Sequence, residues 1–226
     1  MKVLGIDTST PRAAIALTDG DTLVAEARLP ARRGEAERLL PAIDRLLSDA
    51  QVGLAELSGL GVAIGPGSFT GLRIGLATVK GLALGAGLRV VGIPSLDALA
   101  WQVPWALLPV VPLLDARRGE VYGARFEPGA GGALARVTED AALDLEGLAA
   151  LVGDGPALLV GPGADAWREA VTARLGLRAR FVPPELVGPR GLAVARLAAA
   201  RLAAGEADPV DRLVPRYVRG FGREAS

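Results

Sequence analysis

The chain has 226 residues, half of them hydrophobic, and 25 basic against 25 acidic side chains, so its formal net charge is zero. It contains no cysteine and no histidine, which excludes disulfides, thiolate and imidazole metal sites, and Ser-His-Asp or Cys-His catalysis. Neutrality gives no global pull toward nucleic acid or membrane, and chemistry is left to carboxylates, Lys, Arg, Tyr and hydroxyls.

Residues 2–7, 12–18 and 21–29 read as strands, with Asp19-Gly20 as a hairpin signal between the last two. Leu39, Leu40, Ile43, Leu46 and Leu47 recur at helical spacing over 35–51, where Pro41 implies either a start near Leu40 or a kink. Residues 59–64 form a strand, Gly65-Pro66-Gly67 break it, and a helix follows over 68–86 with Ser68 and Thr70 as capping hydroxyls. A strand–turn–helix junction aims amide N–H groups and the positive helix end at one point, which suits an anion. The known phosphate loops do not match. A P-loop needs GxxxxGK[ST], and the next lysine here is Lys80. The dinucleotide fingerprint needs GxGxxG and an acid about 20 residues on; here the glycines are Gly65, Gly67 and Gly71, and no acid lies between Glu56 and Asp97. A tight turn with close helix packing is the alternative.

Residues 88–93 are a strand, and Ser95 caps a short helix to about Trp101. The order so far is βββαβαβα, and it then restarts. Strands are expected at 107–115, 120–126, 133–138, 157–161 and 178–182, and helices at 144–152, 164–174 and 189–204. This predicts a duplicated α/β unit with lobes 1–104 and 105–226, each opening on strands that end in an Asp, Asp7 and Asp115. No uncharged apolar run is long enough to span a bilayer, so a soluble cytoplasmic protein is expected. Two lysines and no asparagine fit a thermophile or a GC-rich genome equally.

The segments IDTST, GPGSFTGLRIG, LDARRGEVY and PRYVR, in this order and spacing over essentially the whole chain, resemble the bacterial TsaB/YeaZ family. The resemblance implies an α/β, actin-like (ASKHA) fold with two similar βββαβα-type lobes. It also implies a role in making threonylcarbamoyladenosine at adenosine 37 of tRNA. In that fold Asp7, Thr8, Gly65, Gly67, Asp115, Gly161 and Gly163 fall where nucleotide or hydrated metal sits in active relatives. Neither Asp turn is glycine-rich, so strand-end turn residues are the alternative. The related catalytic subunit, TsaD, holds metal through two histidines at i and i+4; the matching positions here are Ser95 and Leu99, neither a usable ligand. The resemblance therefore implies a non-catalytic subunit that binds no cofactor alone, with ATP or ADP only within a complex. A stand-alone M22-like metallopeptidase or small ASKHA kinase is the disfavoured alternative.

The implied partners are a TsaD-type subunit, a TsaE-type ATPase, tRNA through the complex, and a second copy when alone; no membrane is implied. The 68–86 helix carries small residues at four-residue spacing: Gly67, Gly71, Gly75, and Ala77, Gly81, Gly85. One such strip is expected to pack on the sheet and the other on a partner. The interface set comprises Leu39, Ile43 and Leu46 on the first helix, with Ser68, Phe69, Gly71, Leu72, Gly75, Thr78 and Leu82 on the second. Family members often carry a His where Glu35 stands, so Glu35 would act at the interface in another way. Arg212, Arg216, Arg219 and Arg223 make the tail 211–226 arginine-rich, read as a solvated end, a tRNA phosphate contact or a partner dock. Arg117, Arg118 and Glu120 read as a surface salt-bridge cluster.

Overall fold

The computed structural model describes residues 1–29, 35–129, 133–187 and 190–218. Two compact units emerge: Met1–Ala98 with Pro189–Arg216, and Leu99–Gly188 with Tyr217–Ser226.

In the first unit β1 (Lys2–Asp7), β2 (Ala14–Asp19) and β3 (Thr22–Arg28) form an antiparallel meander. β4 (Gly59–Gly65) and β5 (Val90–Pro94) add in parallel beside β1, giving the order β3-β2-β1-β4-β5. Strand alternation separates two faces. Leu4, Ile6, Leu60 and Val62 join a core with Leu39, Ile43, Leu46, Leu47, Leu76 and Val79. Those residues come from α1 (Glu35–Asp49) and α2 (Phe69–Ala86). Helix α1 runs through Pro41 rather than starting there. Pro41 is exposed, and the buried leucine and isoleucine stripe offsets the one lost backbone bond.

The other face carries α7 (Arg190–Ala203). Strand residues Gly5 and Gly61 have no side chain there, and a methyl group at either would collide with α7. This corrects the expected division at residue 104: the last helix packs on the first sheet, against β1, β2 and β4. The chain then returns across the sheet edge. Asp208 donates its amide to the Val90 carbonyl at 2.8 Å, its carboxylate accepts the Gly92 N–H at 2.7 Å, and Leu213 is buried. The Arg216 amide bonds the Ile64 carbonyl at 2.7 Å. Residues 211–216 are thus strapped down rather than forming a free end; Arg219 and Arg223 lie outside the described residues, as does the Glu35 side chain.

The second unit repeats the scheme. β6 (Val110–Arg117), β7 (Glu120–Gly123) and β10 (Ala141–Leu143) are antiparallel, and β11 (Ala157–Val160) and β12 (Ala179–Phe181) follow in parallel, in the order β10-β7-β6-β11-β12. β8 (Phe126–Pro128) and β9 (Leu134–Arg136) form a side hairpin. Helices α4 (Leu145–Val152) and α6 (Arg168–Leu175) supply Leu148, Val152, Val171 and Leu175 to its core. The expected 164–174 helix is instead two, α5 (Pro162–Ala166) and α6, joined at Trp167. The short α3 (Ser95–Ala100) lies where the chain passes between units.

Candidate functional site

Strand β1 ends at Asp7, and the chain turns through Thr8, Ser9 and Thr10 against the start of α2. Asp7 is 1% exposed. Its Oδ1 accepts the Ser9 N–H at 2.8 Å, an Asx turn, and its Oδ2 lies 2.7 Å from Arg190 Nε. Arg190 Nη2 donates to Thr10 Oγ1 at 2.7 Å, a partner 180 residues away in sequence. Sequence reasoning missed Arg190; the available signal was Asp7 itself, because a buried carboxylate requires a partner.

The glycine turn is filled by the chain's own backbone. The Ser9 carbonyl accepts the Ser68 N–H at 2.7 Å and occupies the space a side chain at Gly67 would need. The Arg216 carbonyl does the same at Gly65, 2.6 Å from where a Cβ would stand. Ser68 caps α2, its Oγ accepting the Gly71 N–H at 3.2 Å. The amides of Ser68, Gly71 and Leu72 are therefore all bonded within the protein. Gly71 and Gly75 lie directly against Thr8: a methyl group would meet its carbonyl oxygen at Gly71 and its Oγ1 at Gly75. Asp7 Oδ2, Thr8 Oγ1, Ser9 Oγ and Arg190 Nη1 are buried without a hydrogen-bond partner among the described residues, so the Asp7–Arg190 contact is an ion pair rather than a formed hydrogen bond.

These residues do not fit a nucleotide phosphate or a hydrated metal. The Asp7 carboxylate faces a guanidinium, and the cradle that bare glycines would offer holds the Ser9 and Arg216 carbonyls. In the second unit Asp115 Oδ1 accepts the Arg117 N–H at 2.8 Å, again an Asx turn. Gly161 packs on the Leu99 side chain, and Gly163 on the backbone of Leu113 and Leu114. Ser95 and Leu99 are both fully buried. Among the described residues no group of three or more His, Cys, Asp or Glu could hold a metal ion. No described helix is long and apolar enough to cross a membrane.

The expected partner surface is only partly a surface. Leu39, Ile43, Leu46 and Leu72 are core side chains, and Gly71 and Gly75 are buried. Ser68, Thr78 and Leu82 are half-buried, and Phe69 is exposed beneath the Arg73 guanidinium, 3.7 Å from its ring centre. The outward strip of α2 is a different one: Phe69, Arg73, Ala77, Gly81 and Leu84, the last 77% exposed. Nothing lies within 4 Å of a Cβ at Gly81 or Gly85. On α1, Leu40 is exposed.

Two like-ordered α/β units, each entered through an Asp turn, define the actin-like class, and solved structures agree. A YeaZ from Pseudomonas aeruginosa superposes with a TM-score of 0.79 at 27% identity, covering 96% of this chain and 99% of that one. The ROK hexokinase from Thermus thermophilus shares the fold alone, at TM-score 0.55 and 16% identity, over 91% of this chain and 100% of its own. The family model described as "TsaD: tRNA N6-adenosine threonylcarbamoyltransferase" matches residues 30–157. The tRNA threonylcarbamoyladenosine biosynthesis protein TsaB of Bacillus subtilis is 32% identical over 100% of this chain and 97% of its own length. The Escherichia coli TsaB is 38% identical over 56% of this chain, a match spanning about half of that protein, 55%. The chain belongs to the TsaB/YeaZ family.

Proposed function

We propose that this chain works in the biosynthesis of threonylcarbamoyladenosine in tRNA as a non-catalytic scaffold in the cytoplasm. It pairs with a metal-bearing TsaD-type subunit, and the pair recruits a TsaE-type ATPase. The observation that carries the reading is the buried Asp7–Arg190 pair at 2.7 Å. An acid that would face metal or phosphate in an active relative is neutralised inside the protein, and its glycine turn is filled by the chain's own carbonyls. A sequence without histidine or cysteine cannot build the partner's imidazole site elsewhere.

The docking face is the outward strip of α2 with exposed Leu40 of α1. A glycine in mid-helix costs about 1 kcal/mol relative to Ala, and Gly81 has no internal neighbour to explain it. Close approach of a second backbone does explain it, and the flanking Phe69 and Leu84 supply apolar contact. When the partner is absent, a second copy can meet the same face. Size-exclusion co-elution with a TsaD-type subunit at micromolar concentration, followed by addition of the TsaE-type ATPase, tests this. Stepwise formation of a binary and then a ternary complex is expected; separate elution of all three overturns the reading.

A further inference from the structure

The β6–β7 hairpin holds two arginines in backbone conformations that suit glycine. Arg117 has φ 63°, Arg118 φ 53° and Gly119 φ 73°. The register pairs Arg117 with Glu120 across a two-residue turn, Arg118-Gly119, and slips between Asp115 and Arg117. Turns with positive φ at both central positions favour Asn-Gly, Asp-Gly or Gly-Gly, and a bulge residue in that region is normally glycine. A side chain with a Cβ is sterically penalised at each place.

Side-chain contacts do not offset that penalty. The Arg117 side chain is 77% exposed and its Nε stands 3.7 Å from Asp115 Oδ2, an ion pair of little worth at such exposure. Arg118 is exposed and forms no ion pair among the described residues. Gly119 is exposed, and a Cβ there would meet nothing within 4 Å. Backbone strain retained where packing gains nothing is characteristic of contact sites.

We infer that Arg117 and Arg118 are a contact for the phosphate backbone of RNA. Two adjacent guanidiniums offer planar, permanently charged forks that match phosphate oxygens. The inference rests on the reading of the chain as part of a tRNA-modifying assembly, which brings RNA to it.

Fluorescence anisotropy of a labelled unmodified tRNA transcript, at about 50 and 150 mM salt, tests it together with thermal melts. The double variant Arg117→Asn/Arg118→Asn is expected to bind about tenfold more weakly at the lower salt. The slope of log K against log salt should fall by about 2, one per lost phosphate contact. Its Tm should rise by about 2–4 °C, because Asn tolerates the left-handed region. Arg117→Lys/Arg118→Lys keeps the charge and the strain, so it should retain most of the slope and the wild-type Tm. Equal affinity and slope for the wild type and the Asn variant overturn the inference, as does a wild-type chain that binds no tRNA at either salt. So does a variant that keeps tRNA but loses the TsaD-type subunit, which assigns the tip to an acidic protein surface. Loss of the scaffold reading is distinguishable: the subunits then fail to co-elute while the Asn variant still loses tRNA.

Discussion

Arg190, the first residue of the last helix, lies 2.7 Å from Asp7, the last residue of the first strand, with both side chains buried. The pair fastens the start of α7 to the end of β1. Removing one member of a buried pair leaves an uncompensated charge and costs about 3–5 kcal/mol. Arg190→Met should therefore destabilise the chain by about that amount in urea unfolding. The double change Arg190→Met/Asp7→Asn should recover part of it, since no isolated charge remains. A single variant as stable as the wild type would show that the pair does not hold the helix.

Two glycines on α2 should respond with opposite sign. Gly75→Ala brings a methyl onto Thr8 Oγ1 and should cost about 1–3 kcal/mol through overpacking. Gly81→Ala meets nothing within 4 Å and should stabilise by about 0.5–1 kcal/mol through helix propensity. Thermal melts of the two variants decide this; equal shifts would mean that both strips are exposed alike.

Leu39 has 0% exposure and sits among Ile43, Leu46 and the first sheet. Leu39→Ala should cost about 2–5 kcal/mol as a core truncation. A variant with wild-type stability and weakened partner binding would return Leu39 to the surface.

Glu146 accepts two hydrogen bonds from Arg174, each 2.8 Å. Those bonds, more than the charge alone, hold its carboxyl below the ordinary carboxylate value. A depressed folded-state value contributes stability above the unfolded value, and that contribution is lost as pH falls through the folded one. The acid-side decline in Tm should be shallower in Arg174→Ala. At so exposed a site the difference is small, and an unchanged profile would mean that the pair forms only transiently.

Local patterns made the first unit legible. Short apolar runs and the Asp19-Gly20 turn mark β1 to β3, and the Ser68 cap marks the start of α2. β8 and β10 are not set off in the sequence: Phe126 closes the 120–126 run, and Ala141–Leu143 leads straight into the helix capped by Asp144. Helix α7 lies in the second half of the sequence but packs on the first sheet, and its partners are too far off in sequence for local patterns to reveal this. Gly5 and Gly61, bare positions inside strands, were the trace of its close approach. The same limit applied at the site. The repeating glycines of α2 were visible, but which strip met Thr8 and which met solvent depends on helix rotation relative to the sheet.

The scaffold account turns on the outward strip of α2, and calorimetric titration of the chain into a TsaD-type subunit tests it most directly. The wild type should bind, and Gly81→Arg should lose binding while its Tm stays within about 2 °C of wild type, since the added side chain enters open space. A Gly81→Arg chain that binds like the wild type would contradict the account.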